Sequence, residues 1–370
     1  MVFFDVSKDW ALLLPGDLGA VPRSVEDLRR IIGLLRSQAG IALPTPRLMD
    51  GSLEAPDAST PLMVLNTGNG GDAQNGFSWR LGLDRLELFG ASKRGLCNGV
   101  YDFLNALGVG WLRPDREILP RPAGDPPGGY AVSRTSAYQP SEGEPAKWRR
   151  LVISRETSPR DRDMALIWAA RNGVDAIVLP FYEQAANIKK LFQRRGDFQE
   201  RALSRLDPHG FIVEAGGWDL SLLLPRRYFF ARRELFRMEA GKRVKSCHFC
   251  PTHPDSQRIF RAVIQSFLQR YPKIPVIHLW PERNQEKKWC SCPTCRAFLP
   301  EEQNRIAVNA AADIIAQLRP EMRVCYYENS DAPLTIAPRS NAFSLKLLPG
   351  QPGAENLGLY LAEDWRREPR

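Results

Sequence analysis

The chain has 370 residues, 43% of them hydrophobic and 25% charged, a balance that fits a globular protein and excludes collagen-like and disordered classes. A formal net charge of +9 invites a nucleic-acid reading. The basic residues are scattered, however, with only short runs such as Arg194-Arg195, Arg226-Arg227 and Arg232-Arg233, and without a recognition motif they read as solvated surface, so no nucleic-acid partner is expected. No uninterrupted apolar run approaches the ~18 residues of a membrane span, so no membrane partner is expected either.

The first residues carry Asp5, Lys8 and Asp9 and lack the basic, apolar and small-residue regions of a signal peptide. The chain as given therefore reads as cytoplasmic, or as exported if a leader has been removed. Residues 10–14 read as a strand, followed by a helix capped by Ser24 whose Val25, Leu28, Ile31, Ile32 and Leu35 share one face. Gly40 ends that helix. A strand at residues 62–65, a turn containing Gly68, Gly70 and Gly71, and a hairpin across residues 76–89 come next. Ser92 then opens a second helix that buries Leu96, Val100, Phe103, Leu104 and Leu107 and stops at Gly108.

From Pro114 to Pro145 the sequence turns rich in proline and glycine, centred on Pro126-Pro127-Gly128-Gly129, which is linker composition. The expected organisation is an α/β domain over residues 1–122, non-catalytic by the resemblance named below, a linker over 123–146, and a second domain over 147–370. The second domain repeats strand and helix. Strands are expected at 151–154, 174–180, 210–215, 275–280, 323–327 and 343–347, with a fainter one at 357–361. Helices are expected after Ser158-Pro159, ended by Gly173, and over residues 255–271, where Ile259, Phe260, Val263, Ile264, Phe267 and Leu268 keep helical spacing. Repeated strand-helix units imply a parallel sheet. The fold class expected is α/β, a small α/β sandwich domain followed by an incomplete TIM-type (β/α) barrel, because eight full units need ~250 residues. An open doubly wound sheet is the structural alternative.

Two stretches carry a family resemblance. One runs from Lys93-Arg94-Gly95 through Val100-Tyr101-Asp102-Phe103-Leu104 to Gly110-Trp111-Leu112-Arg113-Pro114. The other joins Cys250-Pro251-Thr252-His253-Pro254, Leu279-Trp280-Pro281 and Trp289-Cys290-Ser291-Cys292-Pro293-Thr294-Cys295. Together they resemble a bacterial domain-of-unknown-function family that looks like the α-glucuronidases of glycoside hydrolase family 67 and the hexosaminidases of family 20. The resemblance implies a non-catalytic first domain and a sugar site in the barrel. It extends to Gly210-Phe211-Ile212-Val213-Glu214-Ala215-Gly216-Gly217, although Trp218 stands where the family carries His. A stacking face thus replaces a hydrogen-bonding ring.

Glycoside hydrolysis uses two carboxyl groups, one as general acid and one as base or nucleophile, and a barrel presents such groups at the C-terminal ends of its strands. Glu282 follows the fourth expected strand, where the resemblance to family 20 places the acid. Pro281 stands where those enzymes carry an Asp that orients an acetamido group, so substrate-assisted catalysis is not expected. Glu328 and Asp331 follow the fifth strand and are the candidates for the second carboxylate, with Glu156, Glu214 and Asp219 at other strand ends. Substrate contacts are assigned to Trp218, Asp219, Trp280, Arg283 and Tyr327, with Arg283 suited to a carboxylate on the substrate. The plain alternative is that the carboxylates are loop charges and the aromatics packing. The function expected is carboxylate acid/base hydrolysis of polysaccharide or glycan, the alternative a sugar binder whose catalysis has lapsed.

Five of the seven cysteines cluster, Cys247 and Cys250 as CxxC and Cys290, Cys292 and Cys295 as CxCxxC. Such spacing suits a structural zinc, with His248 and His253 in reach as further ligands. Disulfides and inert thiols are the alternatives. No cofactor for catalysis is expected, since an all-thiolate zinc leaves no open position. Cys97 and Cys325 fall within a helix and a strand and read as core.

Overall fold

The computed structural model describes residues 4–5, 7–14, 22–38, 41, 43–50, 60–68, 76–82, 84–113, 116–120, 131–132, 136–138, 147–153, 157–179, 206, 209–218, 220–246, 248–282, 288–327, 334–347 and 359–365. The N-terminal part begins with β1 (Phe4–Asp5), β2 (Ala11–Leu14), β3 (Arg47–Asp50), β4 (Leu62–Thr67), β5 (Phe77–Gly82) and β6 (Arg85–Gly90). It continues with the short pair β7 (Gly110–Arg113) and β8 (Arg116–Ile118), then β9 (Ala131–Val132) and β10 (Ser136–Tyr138). Six of these form one sheet in the order β10-β5-β6-β4-β2-β3. Strands β6, β4, β2 and the edge strand β3 run parallel, and the β5–β6 hairpin is antiparallel. The Pro- and Gly-rich stretch is thereby tied back to the first domain, β9 pairing with β1 and β10 with β5.

Helices α1 (Arg23–Gln38) and α2 (Lys93–Ala106) pack on each other, and α2 lies over β4, β5 and β6. Ser92 caps α2 as expected, its hydroxyl accepting from the Arg94 and Gly95 amides, an arrangement worth about 1 kcal/mol. Ser24 does not cap α1. The helix starts one residue earlier, the Pro22 carbonyl accepts from the Val25 amide, and Ser24 is buried with its hydroxyl 3.4 Å from the Cys97 sulfur.

The second part is a closed barrel. Its strands are β11 (Lys147–Ile153), β12 (Ala176–Leu179), β13 (Ile212–Trp218), β16 (Val276–Trp280), β17 (Arg323–Tyr327), β18 (Ala342–Leu347) and β19 (Leu359–Trp365). The first six are parallel in sequence order. The seventh is antiparallel to both neighbours, pairing along its whole length with β11 and at two positions with β18. Six βα-type strands and one reversed strand thus close a ring that TIM barrels close with eight parallel ones. Helices α3 (Pro159–Arg171), α4 (Pro254–Arg270) and α5 (Pro300–Leu318) alternate with the strands, and β14 (Met238–Glu239) and β15 (Lys242–Arg243) form a small hairpin after β13.

Strand alternation sorts the side chains. Val152, Val178, Val276, Trp280, Cys325 and Leu345 fill the barrel interior, whereas Ile277, Leu279, Val324 and Tyr326 face the α4 and α5 side with Phe260, Ile264, Val308 and Ile315. Gly216 lets β13 reach β16: its φ is +120°, and a Cβ there would fall 2.1 Å from the His278 carbonyl oxygen. No other residue fits that conformation at that distance.

One continuous hydrophobic core runs from the first sheet through α2 and α3 into β11 and β12. Arg94, 3% exposed, donates to the Ala170 and His209 carbonyls at 2.9 and 3.4 Å. Arg171 forks onto buried Asp27 at 3.0 and 3.1 Å, the strong bidentate geometry. All these partners precede β12 or β13, so the first domain sits beneath the N-terminal ends of the barrel strands. Among the described residues no helix is long and apolar enough to cross a membrane.

Candidate functional site

The strand ends of the barrel define a mouth opposite the first domain. Glu282 stands two residues past β16, the fourth barrel strand, at the position the strand order predicts. Its side chain is 30% exposed, and the Arg226 guanidinium, reaching over from the segment after β13, lies 3.7 Å from Oε2. That oxygen makes no hydrogen bond among the described residues. Oε2 is itself buried, facing Arg226 at ion-pair distance, so the exposed part of the side chain lies elsewhere on the carboxylate arm.

Trp280 lies just below, wholly buried, its ring 5.5 Å from His278 and 6.0 Å from the partly buried Tyr327. Placed so, Trp280 is packing for the floor of the mouth and presents no open face. Tyr327 closes β17, with its carbonyl accepting from Asn304. Trp218 is in register with Trp280, and only its backbone is described. Asp219, Arg283, Glu328, Asp331, Glu156 and Cys247 lie outside the described residues.

Deeper in the barrel, three strands deliver a charged cluster. Arg150 of β11 donates from Nε and Nη2 to the two Glu214 oxygens at 2.6 and 3.1 Å, and His278 of β16 lies with Nε2 2.7 Å from Glu214 Oε2. All three are at most 1% exposed. Burial alone would raise the Glu214 pKa, but the charge of Arg150 and the bond to His278 outweigh it and hold it at about 2. An ionised carboxylate only accepts, so His278 Nε2 carries the proton in that bond. Arg150 also stacks 5.3 Å from the Phe343 ring. With its carboxylate fully engaged and out of reach of solvent, Glu214 braces the barrel and is no candidate for proton transfer.

Four thiols meet in the segments that follow β13 and β16. The sulfurs of Cys250, Cys290, Cys292 and Cys295 all lie within 4.8 Å of one another, all buried. Cys250 comes from the segment between β13 and α4, the other three from the segment between β16 and α5. Each of the four is a free cysteine. Hydrogen bonds from Cys290 and Cys295 hold the Cys250 thiol's pKa far down, and the same company pushes Cys290 up to about 11 and Cys295 higher still. The four sulfurs converge on one point, and such a soft donor set is what a zinc-like dication takes. Neither expected histidine joins it. His248 stacks on Trp289 with centroids 4.2 Å apart, and His253 caps α4 by accepting from the Asp255 amide. Cys97 and Cys325 are core, as expected.

Arg226, Arg150 and His278 did not emerge from the sequence as site residues. For Arg150 and His278 a signal existed, a charged or polar residue at an inward position of an otherwise apolar strand. Arg226 carried none, since its place beside Glu282 depends on how a loop folds back.

No family model matches the chain, and no curated protein matches its sequence. Among solved structures it is similar in fold to a β-N-acetylhexosaminidase from Bacteroides fragilis (12% identity, TM-score 0.51, covering 92% of this chain and 66% of that one). It is also similar to a chitobiase from Flavobacterium johnsoniae (12%, 0.55, 93% and 53%) and to the family-20 β-N-acetylhexosaminidase of Streptomyces coelicolor (14%, 0.53, 93% and 66%). The chain spans about half to two thirds of the length of these enzymes. At such identities the likeness establishes a glycoside-hydrolase-like fold.

Proposed function

We propose that the protein acts on polysaccharide or glycan as a glycoside hydrolase, with Glu282 as general acid and Glu328 or Asp331, beyond β17, as base or nucleophile. The reading rests on one observation: a partly exposed carboxylate stands two residues past the fourth strand of a hexosaminidase-like barrel. Trp218, Asp219, Arg283 and Tyr327 contribute substrate contacts at the same rim. Pro281 leaves no carboxylate beside the acid to orient an acetamido group, so the second carboxyl comes from the protein. The chemistry needs no cofactor, and a zinc ion at the four thiols plays a structural part.

The second reading, a sugar binder without turnover, is favoured by the Arg226–Glu282 contact, which gives the carboxylate a permanent cationic neighbour. Screening aryl glycosides separates the two. Wild type hydrolyses one of them, and Glu282→Gln lowers kcat by roughly 10²–10⁴, the usual share of a general acid. Absence of turnover together with glycan-array binding overturns the hydrolase reading in favour of the binder.

A further inference from the structure

We propose that Cys250, Cys290, Cys292 and Cys295 form a tetrahedral thiolate site for one structural zinc ion, which clamps the segments after β13 and β16 and holds the rim bearing Glu282. The Cys250 sulfur lies 3.8 Å from that of Cys292 and 3.6 Å from that of Cys295. Four sulfurs about 2.3 Å from a central zinc stand about 3.8 Å apart, so the pocket needs only small shifts to close on the ion. These separations are also too long for disulfides, whose sulfurs are ~2.05 Å apart.

The surroundings are those of a ligand set rather than of packing thiols. The Met238 amide donates to the Cys290 sulfur at 3.3 Å, Arg243 Nη1 lies 3.7 Å from the same sulfur, and the Thr252 hydroxyl is 3.1 Å from that of Cys295. Such contacts orient and stabilise thiolates, as outer-shell groups do around metals. Gln303 of α5 fixes the segment carrying three of the ligands: its amide donates to the Cys290, Cys295 and Phe298 carbonyls and accepts from the Cys290 amide. The fourth ligand is tied to the same region through the Ser291 amide, which donates to the Met238 carbonyl at 2.9 Å, and through the His248–Trp289 stack. On binding, each cysteine that still carries its thiol proton releases it to solvent as its Zn–S bond forms. Four thiolates leave zinc no open position, so it bridges the two segments and takes no part in chemistry.

The metal assignment stands without the hydrolase reading; only the value of a fixed Glu282 depends on it. Full-length protein expressed in zinc-supplemented medium is analysed for metal and, after cobalt exchange, by absorption. About one zinc per chain and a thiolate-to-cobalt charge-transfer band are expected. Cys292→Ser and Cys295→Ser should reduce zinc to below about a tenth of an equivalent, whereas Cys97→Ser keeps it. If the rim variants fail to fold, the wild-type stoichiometry and cobalt spectrum decide. Less than about a tenth of an equivalent in wild type, or cobalt bound without the charge-transfer band, overturns the site. Chelation should speed amide exchange across residues 288–299 and leave α1 and α2 unchanged; equal exchange in both regions overturns the clamp.

Discussion

The barrel holds charge in two places, across its middle and at its mouth, and the two are built on opposite terms. Arg150, Glu214 and His278 lie on strands, are buried, and are joined through the Glu214 carboxylate by hydrogen bonds of 2.6 to 3.1 Å. Glu282 lies past the end of β16 and Arg226 opens a 3-10 turn; both side chains are partly exposed and they face each other at 3.7 Å without a hydrogen bond. The first arrangement spends its charge on architecture. The second is partly exposed and is held by a single cationic neighbour among the described residues. Polar groups inside a barrel are thus no guide to its chemistry until their partners are counted.

The comparison is broken most directly by cutting the inner cluster. Arg150→Met leaves Glu214 buried without its fork and should cost about 3–5 kcal/mol in urea unfolding, while Arg150→Met combined with Glu214→Leu recovers a good part of it. A single-variant loss below about 1 kcal/mol would mean that the interior admits water and resembles the rim.

Acid sharpens the contrast more gently. Burial, with Arg94 nearby, lowers the His209 pKa from 6.5 to about 4, so the folded state resists its protonation. That stability is complete above 6.5 and is lost as pH falls through about 4. Glu214 is depressed from 4.5 to about 2, so its contribution is present above 4.5 and is lost as pH falls through about 2. Unfolding midpoints should therefore decline in two stages, and His209→Gln should flatten the upper one alone. A profile that is level between pH 6.5 and 4 in wild type would contradict the burial of His209. The smallest effect belongs to the surface: the Arg23–Glu26 pair is about half exposed on both sides, and Glu26→Gln should change stability by less than about 0.5 kcal/mol.

Much of the fold could be read in advance where periodicity was strong. Helix α2 with its Ser92 cap, the β5–β6 hairpin and the buried strand β16 show their period in the residues themselves, and counting strands to β16 placed Glu282 at the rim. The Lys93-Arg94-Gly95 motif was recognised, but its meaning was not, since Arg94 bolts the first domain to carbonyls contributed by α3 and by His209. Helix α5 was passed over because its alanine-rich sequence follows a cysteine loop. Its start is set by Pro300 and by the Glu302 carboxylate accepting from the Leu299 amide. The direction of β19 has no local signature, because a strand paired on both edges can show the same apolar pattern in either direction. Ser24 lost its capping role to Pro22 because its hydroxyl is drawn into the core beside Cys97.

The reversed strand has a consequence for traffic around the molecule. Because β19 runs against β11, its last residue, Trp365, is paired with Lys147, the first residue of the barrel. The first barrel strand therefore begins, and the last one ends, on the side that carries the first domain.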